Sequence, residues 1–139
     1  MDATGDNRVV TGNLDAFRAA LRLSQRGDWE SFAELMHPEG ELFAQRSPVQ
    51  GTYVGREGIA RFAADTRETF DVFHGEYPDV RDLEDRVLAI GTIRVRGRGS
   101  QLDTEIPSAI LVTYRDGLIY RFRDYGERSK VLEAAGLSE

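Results

Sequence analysis

Residues 83–125 constrain the fold most, because they read as three consecutive β-strands joined by two turn signals. Asp116-Gly117 separates the second run from the third, and this dipeptide favours a two-residue type I′ hairpin, in which both central residues need φ > 0. Gly97-Arg-Gly-Ser separates the first run from the second. The β-branched and aromatic runs themselves are residues 87–96, 106–114 and 118–125. The segment predicts an antiparallel meander covered by the residues that precede it.

Composition restricts the classes of partner. The chain of 139 residues has 40% apolar and 30% charged residues, and no apolar run approaches the ~18 residues of a membrane span. The net charge of −6 disfavours nucleic acid and anionic membranes, since both attract a surplus of Lys and Arg. The absence of Cys excludes disulfides, Cys-ligated zinc and a thiol nucleophile. The sequence therefore predicts a soluble protein without nucleic-acid or membrane partners.

The N-terminal residues lack the basic start and apolar core of a secretory signal. We therefore expect a cytoplasmic protein with a flexible N-terminus over residues 1–12. No linker, repeat or low-complexity segment divides the rest, which predicts a single domain over residues 13–139.

Helical periodicity dominates the first half of the chain. A helix is predicted over residues 14–26, with Gly27 as its stop. Asp28 is a candidate N-cap for a second helix, which His37-Pro38 should end because the residue before proline avoids the α region. A third helix is predicted from about residue 55 to residue 73, with a stripe of phenylalanines on one face. In this interpretation the side chains that share a face of the second helix are Trp29, Phe32 and Met36.

Shorter elements fill the gaps between these helices and the meander. Residues 41–45 predict a strand, and residues 46–51 predict a loop. Residues 77–81 remain ambiguous between loop and strand. A last helix is predicted over residues 127–135, with Gly136 as its stop. This order of elements is typical of an α+β fold, in which helices pack on one face of a sheet.

Four segments together resemble a known family. They are residues 26–38 (Arg-Gly-Asp-Trp-Glu-Ser-Phe-Ala-Glu-Leu-Met-His-Pro), 51–59 (Gly-Thr-Tyr-Val-Gly-Arg-Glu-Gly-Ile) with Phe62, 115–119 (Arg-Asp-Gly-Leu-Ile) and 132–137 (Leu-Glu-Ala-Ala-Gly-Leu). Their order and spacing resemble the SnoaL-like branch of the nuclear transport factor 2-like superfamily, which includes ketosteroid isomerase relatives. The resemblance implies a cone of a curved, mostly antiparallel sheet wrapped around N-terminal helices and one long helix. It also implies a homodimer with an apolar pocket, and a fold that hosts isomerases, cyclases, hydrolases and non-catalytic binders alike.

Asp124 is the candidate catalytic acid. Side chains alternate along a strand, so Tyr120, Phe122 and Asp124 should share one face while Arg121 and Arg123 occupy the other, solvated face. A carboxyl group behind two aromatic rings is suited to acid–base chemistry, since burial disfavours its charged form. Its position also resembles the strand-end acid of polyketide cyclases in the family. The alternative is a structural Asp124 that caps the turn after the strand or pairs with an arginine.

Two tyrosines and several aromatic residues complete the candidate site. Tyr53 and Tyr120 could donate hydrogen bonds to a ligand oxygen, although each could equally be a core aromatic residue. The residues proposed to line a ligand pocket are Trp29, Phe32, Met36, Phe43, Phe62, Phe70 and Phe122.

The remaining polar residues point to less specific roles. His37 before Pro38 predicts a turn or rim residue, and His74 predicts a cap at the end of the third helix. Two isolated histidines give no metal site, and no cofactor motif is present. Arg94 or Arg96 facing Asp103 and Glu105 across the hairpin resembles the water-activating group of limonene epoxide hydrolase relatives, but such pairs are also common on exposed strands.

Three functions remain open from the sequence. The first is a cofactor-independent isomerase, cyclase or hydrolase that acts on a small apolar or polyketide-like molecule through Asp124. The second is a ligand-binding protein with the same pocket and no chemistry. The third is a dimerisation or protein-interaction module that uses the outer face of the sheet.

Overall fold

The computed structural model describes residues 12–45 and 47–138. The helices of this part are α1 Gly12–Gln25, α2 Trp29–Glu34, α3 Ser47–Gln50, α4 Gly55–Thr69 and α5 Arg128–Ala135. The strands are β1 Met36–Phe43, β2 Tyr53–Val54, β3 Phe70–Asp82, β4 Arg86–Gly97, β5 Thr104–Arg115 and β6 Leu118–Asp124. The predicted flexible N-terminus falls outside the described residues except for Gly12, which begins α1.

The strands form one curved sheet in the order β2-β1-β6-β5-β4-β3. The pairs β3–β4, β4–β5 and β5–β6 are antiparallel, which confirms the predicted meander, and β1 lies parallel to β6. Asp116 and Gly117 have φ of 55° and 77°, as the predicted type I′ turn requires. The α+β class is therefore confirmed.

The helices cover both faces of the sheet unequally. The larger core lies on the inner face, where α1, α2 and α4 pack against residues such as Val87 and Ile110. A smaller core lies on the outer face, where Val131 and Leu132 of α5 pack against Leu88 and Ala109. The C-terminal helix thus covers part of the outer face, and Gly136 ends it with φ of 76°, as predicted.

The third predicted helix is shorter than its phenylalanine stripe indicated. Helix α4 ends at Thr69, and Phe70 already has extended dihedrals of −129° and 140°. From Phe70 onward, pairing with β4 supplies the backbone hydrogen bonds of this segment. The segment is therefore a strand, although the spacing of its apolar residues also fits a helix. His74 consequently lies in β3 rather than at a helix end, with Nε2 3.2 Å from Glu76. The ambiguous residues 77–81 also belong to β3.

The second helix is also shorter than predicted. Asp28 caps it, accepting a hydrogen bond from the Ser31 amide at 3.1 Å that lowers the pKa of Asp28. The helix ends at Glu34, however, and Met36 begins β1, so that His37 and Pro38 lie in a strand. The pairing of β1 with β6 shifts register between Met36 and residue 41, an irregularity that tolerates proline. Within the predicted loop 46–51, residues 47–50 form one helical turn and residue 46 lies outside the described residues.

Candidate functional site

A cavity of about 180 Å³ lies between the helices and the inner face of the sheet. An engineered apolar cavity of about 150 Å³ holds benzene, so this space suits a compact molecule of one or two rings. The aromatic residues that line the cavity are Phe17, Trp29, Phe32, Phe62, Phe70, Phe73, Tyr77 and Phe122. Several of these rings meet edge to face, as Trp29 and Phe62 do with centroids 5.3 Å apart.

Asp124 lies at the polar end of this cavity and is nine-tenths buried. Its Oδ1 accepts hydrogen bonds from the backbone amides of Ala109 at 3.0 Å and Gly126 at 2.9 Å. Its Oδ2 accepts from the Ser108 hydroxyl at 2.6 Å and from Nε2 of Gln45 at 3.1 Å. All four partners are donors, an arrangement that fits an ionised carboxylate, which is an acceptor only.

Tyr77 extends this cluster along the cavity wall. Its hydroxyl lies 2.8 Å from Oγ of Ser108. Ser108 has a single hydroxyl hydrogen and gives it to Asp124, so Tyr77 must be the donor in this contact. The three side chains therefore form a directed chain in which Tyr77 donates to Ser108 and Ser108 donates to Asp124.

The environment of Tyr77 keeps its phenol protonated. Burial raises the pKa of Tyr77 above its usual range, the hydrogen bond with Ser108 opposes this, and the charge of Asp124 adds to it. Gly75, two residues earlier in β3, also lines the cavity. A Cβ at Gly75 would lie 2.9 Å from the Tyr77 ring, so this glycine provides the space that the ring occupies.

The structure places five of the proposed pocket residues at the cavity and two elsewhere. The five are Trp29, Phe32, Phe62, Phe70 and Phe122. Met36 does not line the cavity, and its side chain is fully buried elsewhere in the inner core. Phe43 does not line it either, since it follows Leu42, which does, and strand side chains alternate. The Phe43 ring instead lies 4.4 Å below the guanidinium of Arg123.

Neither candidate tyrosine lines the cavity. Tyr53 is fully buried, and its hydroxyl donates to Asp65 at 2.8 Å. Tyr120 packs against the guanidinium groups of Arg115 and Arg121, whose central carbons are 3.9 and 4.1 Å from its ring centre. The pairing of β5 with β6 slips by one residue at Tyr120, so this strand has a bulge that turns Tyr120 away from the interior. Ile119 is buried in its place.

Sequence reasoning did not identify Gln45, Tyr77 and Ser108. A signal for Ser108 was present, because it is the one hydroxyl residue between Ile106 and Ile110 on a face with period two. Ile106 and Ile110 line the cavity on either side of it. For Tyr77 and Gln45, which come from β3 and the segment after β1, the sequence offered no comparable pattern.

The described residues contain neither a metal-binding cluster nor a membrane-spanning helix. No cluster of His, Asp and Glu within 12–45 and 47–138 is arranged to hold a metal ion. None of the helices in the same ranges is both long and apolar enough to cross a membrane.

Comparison with known proteins points to one family. The sequence model of the SnoaL-like domain matches residues 14–122. No curated protein sequence matches the chain.

Solved structures with the same fold are distant in sequence. TerC, crystallised with polyporic acid, is 23% identical with a TM-score of 0.71, and the match covers 86% of this chain and 95% of TerC. A nuclear transport factor 2-like protein of unknown function from Burkholderia pseudomallei is 14% identical with a TM-score of 0.74, covering 86% and 94%. A Catenulispora acidiphila protein with a ketosteroid isomerase-like fold, in complex with trimethylamine, is 23% identical with a TM-score of 0.63, covering 79% and 83%. At these identities the likeness shows the fold alone.

Proposed function

Because this chain belongs to the SnoaL-like domain family, we propose that it binds a compact, largely apolar small molecule in the internal cavity and acts on it by acid–base chemistry. The observation that carries this proposal is the buried carboxylate of Asp124 at one end of a cavity lined by aromatic rings. The reaction would be of the isomerase, cyclase or hydrolase type, with side chains and water as the proton donors and acceptors.

The geometry supports a route for the proton. Because four donors occupy the acceptor positions of Asp124, we place the transfer through one of them rather than by direct contact with the ligand. The ligand gives a proton to Oη of Tyr77, Tyr77 gives its own to Oγ of Ser108, and Ser108 gives its own to Oδ2 of Asp124. Oη of Tyr77 and Oγ of Ser108 each gain one proton and lose one, the ligand loses one and Asp124 gains one, so only the ligand and Asp124 change charge.

Binding is tested by NMR titration with toluene as the probe. Toluene should shift the signals of cavity-lining residues and leave the outer face unchanged. Ala20 lines the cavity and is buried, so Ala20→Leu should fill the space and abolish the shifts. Ala19→Leu on the same helix is the matched control, because Ala19 does not line the cavity. Shifts that survive Ala20→Leu, or no shifts at millimolar toluene, would remove the cavity as a binding site.

The chemical step is tested with 2-indanone, a compact ketone whose α-hydrogens exchange with solvent. The protein should accelerate deuterium uptake from heavy water, and Asp124→Asn should reduce the rate by about 100-fold, the typical contribution of general acid–base catalysis. Tyr53→Phe is the control and should leave the rate unchanged, because Tyr53 lies outside the cavity. Binding of 2-indanone without any acceleration favours the alternative function, a non-catalytic ligand-binding protein.

We also propose that the protein is a homodimer, as the family resemblance implies. Helix α5 covers Leu88 and Ala109 on the outer face of the sheet, while Arg121 and Arg123 of β6 stay exposed on that face and could contact a second copy. Light scattering after size exclusion decides the point, and a monomer at micromolar concentration would contradict it.

A further inference from the structure

The direction of the hydrogen bonds around Asp124 determines what the cavity can offer to a ligand. Both hydrogens of the Gln45 amide group are used, one on the Pro107 carbonyl at 2.8 Å and one on Asp124. Ser108 gives its one hydroxyl hydrogen to Asp124, and Tyr77 gives its one hydroxyl hydrogen to Ser108. No hydrogen of these three side-chain groups remains for a ligand. Two acceptors remain on these groups, Oε1 of Gln45 and the second lone pair of Oη of Tyr77. Gln45 is exposed and its Oε1 lies beside Gly126, whereas Tyr77 is half-buried on the cavity wall, which makes Oη of Tyr77 the acceptor for a ligand inside the cavity.

From this arrangement we propose that the cavity selects compact aromatic molecules that carry an N–H or O–H donor, of the phenol or indole class. The ligand donor binds Oη of Tyr77 and thereby extends the chain that ends at Asp124. The proposal rests on the proposed function in one respect, namely that the cavity is the binding site.

Charge and size narrow the ligand class further. No Lys, Arg or His is among the residues that line the cavity in the described part of the chain. An anionic ligand would therefore face the Asp124 carboxylate in an apolar space without a countercharge, which is costly. A neutral donor is favoured instead, and hydrogen bonds in a chain that ends on a charge strengthen one another. The volume of about 180 Å³ limits the ring system to about two rings.

The test uses three ring systems of nearly identical shape, namely indole, benzofuran and indene. Indole presents an N–H donor, benzofuran presents an oxygen acceptor at the same position, and indene presents neither. Affinities are measured by NMR titration of the full chain. Indole should bind about fivefold tighter than indene, as expected for one net hydrogen bond, and benzofuran should bind no tighter than indene.

Two variants separate the donor preference from general packing. Tyr77→Phe removes the acceptor oxygen and should reduce the affinity for indole to that for indene. Ser108→Ala removes the acceptor of the Tyr77 hydrogen, which then becomes available to the ligand. This variant should raise the affinity for benzofuran by a similar factor. Because the two variants change the preference in different ways, a general loss of stability cannot imitate the result.

The outcomes also separate this inference from the proposed function. Equal binding of the three probes in the wild-type protein, abolished by Ala20→Leu, would leave the cavity as the binding site and overturn the donor preference. Tighter binding of benzofuran than of indole would overturn it as well. Benzofuran offers only an acceptor, so this result would mean that a protonated Asp124 donates to Ser108, Ser108 donates to Tyr77, and Tyr77 donates to the ligand. Failure of all three probes to bind would overturn both proposals.

Discussion

Asp124→Asn keeps the shape of the side chain and replaces one of its acceptor oxygens by an NH₂ donor. The two backbone amides of Ala109 and Gly126 approach one oxygen, and the Asn carbonyl can continue to accept from them. The NH₂ group would then face the Ser108 hydroxyl and the Gln45 amide, both of which now donate. The Ser108 hydroxyl can reverse and accept, but the NH₂ group of Gln45 cannot.

The cost follows from these contacts. Hydrogen bonds to a charged group contribute about 1.5–3 kcal/mol each, and a reversed Ser108 recovers part of one of the two affected bonds. We therefore expect Asp124→Asn to lower the free energy of unfolding by about 3 kcal/mol. In a chain of 139 residues this corresponds to a decrease in Tm of roughly 10 °C.

Differential scanning calorimetry measures this change directly. Asp103→Asn is the matched control, because Asp103 makes an ion pair of 2.7 Å with Arg96 on a more exposed part of the sheet and should matter little. A decrease in Tm of less than about 3 °C for Asp124→Asn, or one equal to that of Asp103→Asn, would refute the reasoning. In that case the carboxylate would not be the acceptor that organises this end of the sheet.

Three further substitutions test the packing around the site. Gly91→Ala should destabilise by about 3 kcal/mol or more, because its Cβ would lie 1.9 Å from the Glu76 carbonyl oxygen, whereas Gly97→Ala meets nothing within 4 Å and should be tolerated; urea unfolding compares the two. Phe62→Ala should cost about 3–5 kcal/mol in the same assay, since this buried ring packs against three other aromatic rings, and a loss below 1 kcal/mol would contradict that packing. Tyr114→Phe should raise Tm, because among the described residues its buried hydroxyl has no hydrogen-bond partner; a lower Tm would indicate that the hydroxyl is bonded.

The meander was predictable because its signals are local. Asp116-Gly117 requires a turn with positive φ whatever surrounds it, and the flanking β-branched residues then pair in one register. The cap at Asp28 and the stop at Gly136 are equally local, since each acts on the backbone of its own helix end. Such features keep their meaning when the rest of the fold is unknown.

The helix ends were harder to predict, because apolar spacing is ambiguous where a helix meets a strand. Phe70 and Phe73 continue the stripe of α4 at spacings of three and four residues, yet they lie on β3. The decision is made by pairing with β4, in which Phe70 lies opposite Gly97 and Phe73 opposite Val95. A partner about 25 residues away in the sequence leaves no trace in the local pattern.

The alternation of side chains along β6 predicted part of the candidate site. Alternation along β6 places Phe122 and Asp124 on one face, and both line the cavity. The same alternation fails for Tyr120, because the bulge inserts one residue into β6 and reverses the phase on its N-terminal side only. The prediction was therefore wrong for Tyr120, which lies N-terminal to Arg121, and right for Phe122 and Asp124.

The partners of Asp124 depend on the tertiary fold and not on the strand. Ser108, Gln45 and Tyr77 are 16, 79 and 47 residues away from it in the sequence. The β5–β6 hairpin brings Ser108 to it, whereas Gln45 follows β1, which lies beside β6, and Tyr77 belongs to β3 at the opposite edge of the sheet. Because of these partners, the direction of the hydrogen bonds determines how Asp124 could act on a ligand, and its burial alone does not. A buried carboxyl group with free lone pairs would act on a ligand directly, whereas one with four donors would act, under the proposed function, through Ser108 and Tyr77. The chemistry of the cavity is therefore expected at the Tyr77 hydroxyl, with Asp124 setting its direction.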